Sequence, residues 1–134
     1  FVDKLVAQPG FYEYNYLSVF TGIFYDAKVE IYNISPKSFY PKPEAYSSLV
    51  VLTAKKKQPK LKDYPAFMLF IKNIFRFKNK NLSNALHSCR GELEGKLGFS
   101  EAQIEKAVKK FKQSSQKVYL LEPEELLGFF ESLK

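Results

Sequence analysis

The spacing of apolar residues changes once along this chain, and that change limits the folds open to it. Residues 28–34 (KVEIYNI) alternate, with Val29 and Ile31 on one face and Glu30 and Tyr32 on the other, which is the period of a strand. Residues 47–53 (SSLVVLT) form a short β-branched run that reads as a buried strand. From Phe67 onward the period is helical. Phe67, Phe70, Ile71, Ile74 and Phe75 fall at i, i+3, i+4, i+7 and i+8, with Asp63 placed to cap and Pro65 in the first turn. A second short helix turns Leu82, Ala85, Leu86 and Cys89 inward. Ser100 and Gln103 have capping-box spacing, with Phe99 placed to staple onto Ile104, ahead of a helix that buries Ile104, Ala107, Val108 and Phe111. A last helix begins at Pro123, carries Glu124 and Glu125 in its first turn, and buries Leu126, Phe129, Phe130 and Leu133. Residues 1–7 read as the final turns of a helix stopped by Pro9-Gly10. Residues 16–25 fit a helical stripe at 16, 20, 23 and 24, although their β-propensity is also high. The expected fold class is α/β followed by all-α. The polar connector Lys55-Lys56-Lys57-Gln58-Pro59-Lys60 divides it into residues 1–54 and residues 55–134.

Charge is distributed as unevenly as period. The 134 residues carry 21 Lys+Arg against 14 Asp+Glu, a net charge of +7. Residues 1–54 hold four Lys and five acids, and residues 91–134 hold seven Lys and eight acids. Between them, residues 55–90 hold eight Lys and two Arg against Asp63 alone. A basic patch of this kind is the footprint expected of a surface that neutralises phosphates, and the plainer alternative is a solvated, solubilising face. Because Lys72 and Arg76 share one face of a helix and Lys78 and Lys80 follow in its exit turn, contact with nucleic acid is the favoured expectation.

Several classes of function are excluded. A lone Cys89 and a lone His87 leave no internal disulfide, no Cys-based zinc site and no His cluster. Cys89 lies on an apolar stripe and reads as a small core residue rather than a nucleophile. No apolar run approaches the ~20 residues of a membrane span, and residues 1–7 lack the pattern of a secretory leader, so a soluble, cytoplasmic chain is expected. The six glycines are scattered and none follows a strand as a phosphate-cradling loop. Phe1 in place of Met reads as a cut through something longer.

One segment is built for rigidity. Pro36, Pro41 and Pro43 fall within eight residues, fixing φ at three positions and denying Ser35, Tyr40 and Lys42 the helical region. A loop so stiffened holds Phe39 and Tyr40 either beside a ligand or as lids on the core beneath.

Three stretches in order bring a family into view. Leu5-Val6-Ala7-Gln8-Pro9-Gly10, then Tyr14 and Leu17-Ser18-Val19, resemble the "LVA-x-PG … YG-x-LSV" of KsgA-type ribosomal RNA adenine dimethyltransferases. Ser35-Pro36, Phe39-Tyr40-Pro41-Lys42-Pro43 and Ser47 resemble their "PP-x-x-F-x-P-x-P … S", the most specific of the three. Phe75 to Leu86 resembles "F-x-x-RRK-x-L-x-NAL", with Lys78-Asn79-Lys80 at the basic triplet and its Asn closer to the archaeal and eukaryotic branch. The resemblance covers about residues 1–90. Asn15 stands where Gly is usual, Glu44-Ala45-Tyr46 replaces Lys-Val-Asp, and Ser83 replaces a frequent Arg.

The resemblance implies a fold, a reaction and site residues. The fold would be the terminal strand hairpin of a Rossmann-like methyltransferase sheet plus a small C-terminal helical domain. The reaction would be transfer of methyl groups from S-adenosylmethionine to adenosines of small-subunit rRNA, free or in a pre-ribosomal small subunit. The cofactor would be held by a preceding half that this chain lacks, leaving the chain inactive alone. Phe39 would stack on the flipped adenine, with Pro36, Tyr40, Pro41 and Pro43 shaping the loop. Lys55, Lys56, Lys57, Lys72, Arg76, Lys78, Lys80 and Arg90 would hold RNA, with no metal and no membrane involved. The alternatives are a non-catalytic RNA-binding module and the related macrolide-resistance methylase acting on large-subunit rRNA. The basic triplet followed by Asn-Ala-Leu favours the small-subunit enzyme over the latter.

Overall fold

The computed structural model describes residues 1–61 and 63–133. Two short helices, α1 (Val2–Val6) and α2 (Tyr16–Phe24), lead into strand β1 (Tyr25–Ile34), which pairs antiparallel with β2 (Ser47–Ala54). Five helices follow: α3 (Tyr64–Phe75), α4 (Leu82–Ser88), α5 (Arg90–Leu97), α6 (Glu101–Lys110) and α7 (Pro123–Ser132).

The helix over residues 16–24 is decided at its first turn. Asn15 Oδ1 accepts from the backbone N–H of Leu17 (2.9 Å) and Ser18 (3.3 Å), while Ser18 Oγ accepts from Asn15 N (3.1 Å). This reciprocal cap satisfies N–H groups that a helix start leaves orphaned, which tips an apolar segment of high β-propensity into helix. Asn15 in place of glycine is therefore a capping residue. Asp63 caps α3 through Ala66 N (3.1 Å), and Ser100 with Gln103 caps α6 at 3.2 and 2.8 Å, as their spacing predicts.

One core unites the helices. Phe67, Phe70, Ile71 and Ile74 of α3 meet Leu82, Ala85 and Leu86 of α4 and Leu126, Phe129 and Phe130 of α7. Tyr14, Val19, Ile23 and Phe24 belong to the same cluster, so residues on both sides of the connector contribute to it. Gly22 of α2 approaches α7 so closely that a Cβ there would stand 3.2 Å from Pro123 Cγ. Lys55 donates from Nζ to the Gly22 carbonyl (2.6 Å), and both Lys55 N and Gln58 Nε2 donate to the Phe24 carbonyl at 3.0 Å. The base of the hairpin is thereby tied to the end of α2.

Tyr14 joins the two ends of the chain. Its ring is fully buried edge-on to Phe75 at 5.6 Å, and its hydroxyl donates to the Leu121 carbonyl at 2.7 Å. Burial, with Glu124 nearby, pushes the phenol far above the usual tyrosine range. Tyr14→Phe removes the donor and leaves that carbonyl unpaired, so a loss of about 1–3 kcal/mol is expected in the denaturant midpoint of unfolding.

Two expectations change. β2 is not buried: Leu49, Val51 and Leu52 are each more than 40% exposed, because β1 is its one strand partner among the described residues and helices α1 and α2 pack mainly against β1. The Val29/Ile31 alternation is also broken, with Ile31 exposed and register shifts on both sides of it, and Asn33 at φ 52. Helix α5 was not expected, since Gly91 and Gly95 interrupt a segment in which Leu93 alone is buried.

Candidate nucleic-acid interface

The loop between the strands places aromatic rings in the open. Ser35 Oγ accepts from Lys37 N (3.2 Å), starting a single 3₁₀ turn at Pro36–Ser38 that Phe39 N closes on the Pro36 carbonyl (3.2 Å). Beyond it Phe39 is 41% exposed and Tyr40 fully exposed, with a cis peptide bond between Tyr40 and Pro41. Pro43 is half-buried. Neither ring covers the core, so the lid reading of this loop does not hold. Tyr32 and Tyr46 are exposed at the same end of the hairpin.

The cations expected to hold RNA fall into distinct settings. Lys72, Arg76, Lys80 and Arg90 are exposed on α3, its exit turn and the start of α5. Arg76 pairs with Glu92 at 3.3 Å, and Lys80 Nζ donates to Ser88 Oγ at 3.1 Å. Arg90 lies 2.6 Å from His87 Nε2. Lys56 and Lys57 are exposed in the connector. Lys55 and Lys78 do structural work as well. Lys78 is half-buried and donates to the carbonyls of Tyr12 (2.6 Å) and Tyr14 (3.4 Å), leaving one of its three donors for any other partner. The Arg76–Glu92 pair is exposed and adds little stability, so Arg76 gives up little by turning to a phosphate.

Sequence reasoning missed the aromatic side of this surface. Lys78 sits 4.9 Å from the centre of the Tyr12 ring, Arg76 and Lys80 lie 5.6 and 5.3 Å from Phe77, and Lys72 lies 5.5 Å from Tyr16. The alternation FRFKNK over residues 75–80 was the available signal. Cys89 is buried, and burial pushes its thiol up to about 11, so it is a protonated core residue at neutral pH. Among the described residues no group of three metal-ligating side chains occurs, and no helix is long and apolar enough to cross a membrane.

Residues 1–124 match the family model "Ribosomal RNA adenine dimethylase". The chain belongs to the ribosomal RNA adenine dimethylase family. A "Probable ribosomal RNA small subunit methyltransferase A" of Methanococcus maripaludis is 30% identical over 134 residues, 99% of this chain and 49% of that protein. A "Ribosomal RNA small subunit methyltransferase A" of Thermotoga maritima is 36% identical over 93 residues, 69% of this chain and 32% of that protein. The crystal structure of a dimethyladenosine transferase from Plasmodium falciparum superposes with a TM-score of 0.74 at 16% identity, over 95% of this chain and 51% of that one. That likeness fixes the fold as strand hairpin plus helical unit of this family. The chain spans about half the length of the relatives it matches.

Neither described strand leads into a glycine-rich turn and helix of the kind that holds S-adenosylmethionine. β1 runs into a proline loop, not a glycine turn and helix.

Proposed function

We propose that this chain is the C-terminal part of an S-adenosylmethionine-dependent rRNA adenine N6,N6-dimethyltransferase of the cytoplasm, acting on small-subunit rRNA or the assembling small subunit. Family membership over residues 1–124 carries the reading, and the small-subunit names of the relatives support it over a large-subunit methylase. The methyl donor is assigned to a preceding half of the protein.

Two tasks remain for these residues. An amino group conjugated to a purine ring is a poor nucleophile, so it must be held in a single orientation to react. An adenine swung out of its helix loses its stacking neighbours, and the exposed ring of Phe39 replaces one of them. Pro36, Pro41 and Pro43 keep that ring from sweeping through alternative positions, with Tyr40 beside it. The second task is grip. Lys72, Arg76, Lys80 and Arg90, with Lys56 and Lys57 further along and the remaining donor capacity of Lys55 and Lys78, neutralise phosphates of a folded RNA that is read by shape and backbone.

The test is charge reversal in the full-length protein. Lys72→Glu with Lys80→Glu removes two cations without freeing a carboxylate partner. Binding to unmodified small-subunit RNA should weaken, and the slope of log K against log salt should flatten by about 1.4–1.8 for two lost phosphate contacts. Unchanged affinity at physiological salt overturns the grip. Residues encoded ahead of Phe1 offer a second check: a glycine-rich loop after a strand, then Asn-Leu-Pro-Tyr, supports the enzyme over a non-catalytic RNA-binding module.

A further inference from the structure

The turn after Pro9 displays two adjacent aromatic rings. Phe11 is 61% exposed and Tyr12 85% exposed. The turn that carries them is nevertheless braced. Gly10, at φ +93, donates its N–H to the Tyr119 carbonyl at 2.8 Å, and Tyr119 N donates to the Lys78 carbonyl at 3.2 Å. Lys78 closes the circuit by donating from Nζ to the Tyr12 carbonyl while its ammonium faces the Tyr12 ring. Phe11, Tyr12, Lys78, Asn79 and Tyr119 together line a hollow of about 260 Å³.

The chemistry of this hollow selects its occupant. Flat rings on a braced turn offer stacking surface, and an adjacent cation favours an anionic partner. The exposed Asn79 carboxamide has both donors and an acceptor for the edge of a base. The next residues along the chain repeat the pairing, since Phe77 lies between Arg76 and Lys80. Duplex RNA presents phosphates but hides its base faces, whereas unpaired nucleotides present both. We infer that Phe11, Tyr12 and Asn79, with Lys78 beneath them, form a stacking platform for unpaired bases of an RNA, distinct from the Phe39 loop. This deepens the RNA reading above and rests on it: the substrate would carry single-stranded nucleotides beside the helices gripped by the basic face.

The experiment compares two labelled probes, a 12-nucleotide single-stranded RNA and a 12-base-pair RNA duplex, by fluorescence anisotropy with the full-length protein. Phe11→Ala with Tyr12→Ala should lower single-strand affinity about 5- to 150-fold, the range expected for losing one stacked base, and leave duplex affinity within about twofold. The salt slope should stay as in the parent, because no cation is removed. Tyr12→Phe keeps the ring and should retain single-strand binding, which separates lost stacking from lost folding. Equal losses on both probes, or no loss on either, overturn the platform while leaving the RNA grip standing. A parent protein that binds neither probe at low salt overturns both readings.

Discussion

Phe39→Ala in the full-length protein is expected to slow methyl incorporation into unmodified small subunits by about 5- to 150-fold. That range is the ~1–3 kcal/mol of one base–aromatic stack expressed as a rate. The effect should fall on the reaction and not on capture, because the proposed grip on RNA rests on the cations of α3 to α5 and not on this ring. RNA affinity is therefore expected to change little. Stability should change little too, since a ring 41% exposed contributes modestly to folding. Phe39→Tyr keeps the flat surface and should retain most of the rate. Turnover unchanged in the alanine variant would remove Phe39 from the site.

A larger effect on folding is expected at Phe130. Its ring is fully buried and meets Phe67 at 5.3 Å, Phe70 at 5.3 Å and Phe99 at 5.9 Å, so it joins α3, α7 and the residue ahead of the α6 cap. Truncation to alanine removes the ring and leaves a cavity that three aromatic neighbours cannot readily fill, at a cost of about 3–5 kcal/mol. Against a total stability of roughly 5–15 kcal/mol, that is enough to populate unfolded chain under mild conditions. Equilibrium denaturation measures it, with Phe130→Leu as the milder comparison. A loss below about 1 kcal/mol would show that Phe130 does not anchor the core.

The helices with a full apolar stripe were readable from the residues alone, and the reason is physical. In α3 and α7 the stripe, the proline in the first turn and the start signal coincide, so local and global preferences agree. Residues 16–24 were ambiguous because apolar aromatic residues suit both helix and strand, and the deciding Asn15–Ser18 cap is a side-chain bond that hydrophobic periodicity does not register. Helix α5 was invisible because it buries only Leu93 and carries Gly91 and Gly95, leaving almost no stripe to detect. β2 looked buried because SSLVVLT has the composition of a covered strand, whereas burial depends on what lies over the sheet. At the interface, sequence located the cations but not their tasks. Lys78 resembles its neighbours in the basic run, yet it spends two donors on carbonyls brought near from residues 12 and 14. Phe11 and Tyr12 went unremarked because nothing in their spacing distinguishes a displayed ring from a packed one.

The close approach of Gly22 to Pro123, the Tyr14–Leu121 bond and the grip of Lys55 on the end of α2 have a consequence for substrate choice. They tie the base of the hairpin that offers Phe39 to α2 and α7 of the bundle that offers the cations, so the proposed span between ring and cationic face would work as a caliper. An RNA seated on the bundle would present whichever adenine lies one caliper-width away, and altering the angle of α2 against α7 would shift that choice without touching a single nucleotide.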